Sequence, residues 1–125
     1  MCSIYYKYII SEQIIDLVDK KIFNLHPSLL PDYKGCSSLT WAMFEGEDEV
    51  GFTYHYLTPE VDSGNIILQQ EIVNEEWDTQ ATLYHRVMFE AAKYFNEAFR
   101  LVKNGYKGEE QKKSGEYFKR GAPFN

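Results

Sequence analysis

A proline sets the first landmark of this chain. Lys21-Ile22-Phe23 is a short apolar run that leads into Asn24-Leu25-His26, and Pro27 halts regular structure at once. In an extended strand, residues two apart project to the same face. Asn24 and His26 are therefore expected to stand side by side at the end of one strand. An amide donor then sits beside an imidazole able to donate or accept a proton near neutral pH. Two donors aimed at one point suit an oxygen that gains negative charge, as in acyl transfer. The plain alternative is an Asn-x-His pair that caps a turn.

A second constellation lies downstream. Residues 51–57, Gly-Phe-Thr-Tyr-His-Tyr-Leu, alternate as a strand does. Thr58-Pro59-Glu60-Val61-Asp62-Ser63-Gly64 follows and is rich in turn formers. Asn65-Ile66-Ile67-Leu68 then opens another strand, over 66–72. The loop would hold Asp62, a carboxylate able to orient or protonate the His26 imidazole. An aspartate in such a loop is most often a turn residue bonded to its own backbone.

The rest of the chain supplies a framework. Residues 3–10 are rich in Ile and Tyr and read as a strand end. Ser11 suits an N-cap, and 12–18 an amphipathic helix with Ile14, Ile15 and Val18 on one side. The strand before Pro27 covers 22–26. A loop over 28–35 precedes a helix over 38–45 that carries Leu39, Met43 and Phe44 inward and ends at Gly46. Thr79 is the expected N-cap of a long helix reaching to about residue 104, closed by Gly105. Leu83, Val87, Ala91, Phe95 and Val102 form its apolar stripe, and His85 lies off that stripe at the surface. Strands alternating with helices predict an α/β domain with a mostly parallel sheet and flanking helices. Ligands bind such sheets at the carboxyl ends of strands, where Asn24, His26 and Asp62 are all expected.

Composition narrows the partners. With 125 residues, 44% hydrophobic and 16% aromatic, the chain can bury one core. Its net charge of -6 and pI near 5.0 argue against a nucleic-acid backbone as the main ligand. Lys112-Lys113 and Lys119-Arg120 read as solvated pairs. No apolar run is long enough to span a bilayer, and no signal-peptide pattern opens the chain. Cys2 and Cys36 lack metal-ligand spacing and read as reduced thiols of a cytoplasmic protein.

Taken together, Asn24-x-His26-Pro27-Ser28-Leu29-Leu30-Pro31, Tyr33-Lys34-Gly35, Gly51-Phe52-Thr53, His55 and Asp62-Ser63-Gly64-Asn65-Ile66-Ile67 closely resemble the folate-dependent formyltransferases. That family includes glycinamide ribonucleotide, methionyl-tRNA and sugar N-formyltransferases. The spacing from His26 to Asp62 is also similar to the family's, and the resemblance runs from about Ser3 to the C-terminus. It implies a partial Rossmann-like domain of formyltransferase type, with residues 1–106 as its C-terminal part and 107–125 as a polar tail or the start of a following segment.

The resemblance also implies a reaction: transfer of a formyl group from N10-formyltetrahydrofolate to a primary amine. Asn24 would donate to the oxyanion, His26 would donate a second hydrogen bond or shuttle the proton, and Asp62 would hold the imidazole or accept the proton through water. The folate pterin would lie against the backbone of 6–10 and 58–62, naming Tyr6, Tyr8, Ile10, Pro59 and Glu60. Tyr5, Tyr6 and Tyr8 offer a stacking wall, although aromatic residues in strands are ordinary packing. His55 stands near the site in the family and is equally well read as structural.

Trp41, the Glu45-Gly46-Glu47 turn and the 117–123 tail look most like sugar N-formyltransferases acting on nucleotide-linked 4-amino sugars. Glycinamide ribonucleotide or methionyl-tRNA formyltransferase-like activity is the nearer alternative. The family's first strands and the loop that grips the substrate phosphate have no counterpart before Met1. The expectation is thus a truncated or partial enzyme, whose uncovered edge favours self-association or an N-terminal half supplied separately. An inactive folate-binding or oligomerisation module, or a hydrolase that releases the formyl group to water, would carry the same residues.

Overall fold

The computed structural model describes residues 2–4, 21–32, 34–35, 38–58, 63–111 and 117–118. In chain order its elements are β1 (Cys2–Ile4), β2 (Phe23–His26), β3 (Lys34–Gly35), α1 (Ser38–Phe44), β4 (Glu49–Tyr56), β5 (Ile66–Val73), α2 (Gln80–Lys103) and β6 (Tyr117–Phe118). The helix expected over 12–18 lies outside the described residues.

Four strands form one sheet in the order β1-β2-β4-β5, and β3 pairs with β6 in a second, two-stranded sheet. The first pairing, β1 with β2, is parallel, whereas β2 with β4 and β4 with β5 are antiparallel. The expectation of a mostly parallel sheet is corrected to that extent. Residues 57–65 join β4 to β5, fewer than the dozen or so that a parallel crossover needs, so the two strands form a hairpin. The α/β character stands, with α2 packed on β4 and β5 and α1 packed against α2.

Alternation divides that sheet into two unlike faces. Phe23 and Leu25 of β2 and Val50, Phe52 and Tyr54 of β4 are buried on one face, in one cluster with Leu83, Val87, Ala91, Ala98 and Val102 of α2. Burying each large apolar side chain there contributes about 1.5–3 kcal/mol. Phe23 meets Tyr54 edge-on and tilts against Phe95, both with centroids 6.2 Å apart. The Tyr54 hydroxyl donates 2.7 Å to the Ala91 carbonyl, which gives the buried phenol its partner and ties α2 to β4. As expected, the α2 stripe faces the core, with Phe95 partly buried beside it, while His85 is exposed.

Helix ends follow the sequence closely. Thr79 caps α2: its hydroxyl accepts from the Thr82 amide at 3.2 Å, and the Thr82 hydroxyl accepts from the Thr79 amide at 2.9 Å. Both helices end in a Schellman turn. Gly46 donates to Met43 and Glu47 to Ala42, and Gly105 donates to Val102 and Tyr106 to Leu101. Both glycines take the left-handed conformation this requires, at φ 75° and 84°. One side chain departs from expectation: Phe44 is 66% exposed, and Ala42 is buried with Leu39 instead. Position 44 lies five residues beyond Leu39, roughly 140° round the helix, so it cannot share that face. Among the described residues, no helix is long and apolar enough to cross a membrane.

Candidate active site

The opposite face of the sheet is polar. Asn24 is the second residue of β2 and His26 its last, and both project away from Phe23 and Leu25. In the antiparallel register Asn24 lies across from His55 and His26 across from Thr53. These four side chains thus share one patch. His26 is 5% exposed and His55 fully buried, and their rings meet edge-on with centroids 6.4 Å apart. The His55 Nδ1 lies 3.0 Å from the Tyr56 carbonyl oxygen. A carbonyl can only accept, so Nδ1 carries the proton in this contact.

Thr53 and Gln69 were given no role by the sequence, yet they fasten the loop that follows His26. The Thr53 hydroxyl donates 2.6 Å to the Ser28 carbonyl and accepts from the Leu30 amide at 3.1 Å. Gln69 donates to the Thr53 hydroxyl and to the Leu30 carbonyl, each at 2.9 Å. Ser28 in turn donates 2.7 Å to the Asp32 carbonyl. The Ser-Leu-Leu-Pro segment is therefore held by two strands, and with it the backbone leaving His26. Long-range bonds of this kind leave no local periodicity, which is why the sequence does not announce them.

Antiparallel pairing also changes where the pieces lie. Tyr56 pairs with Phe23 and Leu57 donates 2.9 Å to Ile22, so the 57–65 connection leaves beside the start of β2, not beside His26. Among the described residues the site is a face of the sheet, with His26 at the carboxyl end of β2. At the far end of the connection, a Cβ on Gly64 would overlap the Tyr56 carbonyl oxygen, so only glycine fits there. Asp62 lies outside the described residues, as do Tyr6, Tyr8, Ile10, Pro59 and Glu60. Asn24 and His26 are thus the two named residues that the structure brings together.

One atom of the patch asks for a ligand. The Asn24 Oδ1 is buried and has no hydrogen-bond partner among the described residues. A buried carbonyl left unbonded costs about 1–3 kcal/mol. Asn24 is suited to a bound molecule that offers a donor to Oδ1 and an acceptor to Nδ2. No cluster of three or more metal-ligating side chains occurs among the described residues.

Comparisons with known proteins show the family. A family model described as formyl transferase matches residues 1–99. GDP-perosamine N-formyltransferase of Brucella melitensis is 38% identical over 122 residues, covering 98% of this chain and 47% of that protein. The formyltransferase PseJ from Anoxybacillus kamchatkensis, solved with UDP-4,6-dideoxy-4-formamido-L-AltNAc and tetrahydrofolate, superposes with TM-score 0.87 at 36% identity, covering 96% of this chain and 64% of that one. Glycinamide ribonucleotide transformylase 1 from Symbiobacterium toebii superposes with TM-score 0.76 at 34% identity, covering 80% of this chain and 47% of that one. The chain spans about half the length of the GDP-perosamine enzyme it matches.

Proposed function

The chain belongs to the formyl transferase family, and from that premise we propose that it carries the catalytic face of an enzyme that formylates a nucleotide-linked amino sugar, with N10-formyltetrahydrofolate as donor. The observation that carries the reading is the pairing of Asn24 and His26 on one polar, half-sealed face opposite His55 and Thr53. Sugar substrates are favoured over glycinamide ribonucleotide by the strength of the likeness. PseJ superposes with TM-score 0.87 at 36% identity, against 0.76 at 34% for the glycinamide ribonucleotide enzyme of Symbiobacterium toebii and 0.77 at 25% for that of Anaplasma phagocytophilum.

The donor supplies a formyl carbon whose bond to N10 breaks as a new bond to the amine nitrogen forms, and the proton lost by the amine balances the one gained at N10. Asn24 fits both reacting partners: Nδ2 donates to the formyl oxygen as it gains charge, and the orphaned Oδ1 accepts an N–H of the attacking amine. His26, held by β2 on one side and by the fastened loop on the other, supplies the second donor or moves the proton. Asp62 is assigned the role of orienting that imidazole or receiving its proton. Burial of both imidazoles excludes water and strengthens each interaction. The 1–106 region is read as the C-terminal part of a catalytic domain, and 107–125 as a polar tail or the start of a following segment.

The test is direct. The chain is incubated with N10-formyltetrahydrofolate and a panel of amines, namely a GDP-linked 4-amino sugar, a UDP-linked 4-amino sugar and glycinamide ribonucleotide. Mass spectrometry should find one added formyl group on a sugar substrate, lost in Asn24→Ala. Formylation of glycinamide ribonucleotide alone would reassign the substrate. Donor breakdown to tetrahydrofolate and formate without any acceptor product would replace transfer by hydrolysis.

A further inference from the structure

The segment after α2 returns to grip the far stem of the 57–65 loop. The Schellman turn at Gly105 sends Tyr106 back towards the sheet, where its carbonyl accepts from the Tyr56 hydroxyl. Asn65 donates 3.0 Å through its side-chain amide to the Lys107 carbonyl. Ile66 and Glu109 exchange two backbone hydrogen bonds, at 2.7 and 2.8 Å, in an isolated antiparallel bridge. Gln111 then donates 2.8 Å through its side chain to the Gly64 carbonyl. Gly108 makes the close approach possible: at φ 79° it is left-handed, and a Cβ there would lie 2.9 Å from both the Asn65 Cβ and the Ile66 oxygen. Burial, and then the neighbouring Tyr106 phenol, push the Tyr56 pKa up, so its hydroxyl remains a donor through the neutral range.

We propose that residues 106–111 are a positioning clamp for the catalytic loop, with Gln111 as its outermost latch. The clamp seizes Gly64, Asn65 and Ile66, and Gly64 follows Asp62 by two residues in the chain. Fixing the stem on both sides restricts where that carboxylate can reach. The family-wide match ends at residue 99, before the clamp begins, whereas the match to the GDP-perosamine enzyme covers 122 residues. The far stem of the 57–65 connection is thus fastened by residues beyond the matched region. The inference rests on the formyl-transfer reading of the site, and Gln111 acts through the loop without touching substrate.

Gln111→Glu is the sharpest test, because it keeps shape and removes the donor. Three readouts, amide exchange, transfer kinetics and the unfolding midpoint, are taken on the full chain, with Gly108→Ala as a second variant and Asp62→Asn as reference. Amide hydrogen exchange at Ile66 and Tyr56 should quicken in both clamp variants, since their protons go to Glu109 and Asn65. The kcat of formyl transfer should fall about tenfold or more in Gln111→Glu, while KM for the amine stays within about twofold and the unfolding midpoint is unchanged. Unaltered exchange, or unaltered kcat while Asp62→Asn is inactive, overturns the clamp and leaves the formyl-transfer reading intact. If the parent chain transfers no formyl group, or Asp62→Asn is fully active, the reading of the site fails and the clamp's catalytic role falls with it.

Discussion

The two faces of the four-stranded sheet are made from alternate residues of the same strands, yet different forces hold them. The helix-covered face is a continuous apolar cluster in which Phe23, Phe52 and Tyr54 are buried by shape and area. The other face carries half-buried Asn24 beside buried His26, Thr53 and His55, and the Thr53 hydroxyl ties it to loop backbone. One face trades in contact area, which tolerates some rearrangement. The other depends on individual donors and acceptors, each of which is costly to leave unmet. The lesson is that apolar packing and the proposed chemistry occupy opposite sides of one strand, and substitutions should separate them.

Phe52→Ala should show the largest effect. It removes a fully buried ring, and loss of about 3–5 kcal/mol is expected, read as a lower denaturant midpoint, with kcat per folded molecule little changed. A loss of activity that exceeds the loss of folded protein would break the separation. His26→Ala is the mirror case. Removing a donor of this kind costs about a hundredfold or more in rate, and the fall in rate per folded molecule should far exceed any loss of folded protein. Should that variant unfold readily while its residual activity is high, the polar face would be structural instead.

Thr53→Val sharpens the comparison, since it keeps volume but deletes the hydroxyl shared by Ser28, Leu30 and Gln69. About 1–3 kcal/mol of stability should be lost, together with a fall in kcat, because the loop after His26 is released. Loss of stability with unaltered kcat would show that the loop's anchorage does not reach the imidazole.

The smallest effect belongs to neither face and serves as a control at the head of α2. Desolvation works against the Asp78 charge, but the Glu75 amide, the Thr82 hydroxyl and the Arg86 guanidinium outweigh it and hold the pKa below its usual value. A depressed carboxylate stabilises the fold above its unfolded pKa, and that contribution drains away as pH falls through the folded pKa. Acidifying below about pH 4 should therefore narrow the stability gap between the parent and Asp78→Asn. A gap that is constant across this range would remove the charge from the account.

Much of this was legible in the chain. The Asn24-x-His26-Pro27 step, the α2 stripe and the Thr79 and Gly105 boundaries are local signals, fixed by strand alternation, helical periodicity and cap chemistry. Direction of pairing was not local: the α/β alternation suggested parallel strands, and only the short 57–65 connection reveals the hairpin. Phe44 looked like core because it is large, and its phase on α1 turned it to solvent. Thr53, Gln69 and Gln111 were silent because their partners lie 16 to 47 residues away, and no pattern in sequence marks a bond of that span. The face that carries Asn24 and His26 could be read; the fastenings that hold it in place could not.

Tyr54 and His55 are consecutive, so a single peptide plane separates the phenol that holds α2 from an imidazole of the polar patch. The helix cannot roll about its axis without pulling on that phenol, and the pull arrives one residue later at the ring facing Asn24. In mechanical terms β4 is a lever whose fulcrum is its own backbone. Tyr54→Phe keeps the packing and cuts the linkage, which makes the imidazole resonance of His55 a reporter of helix motion on the far side of the sheet.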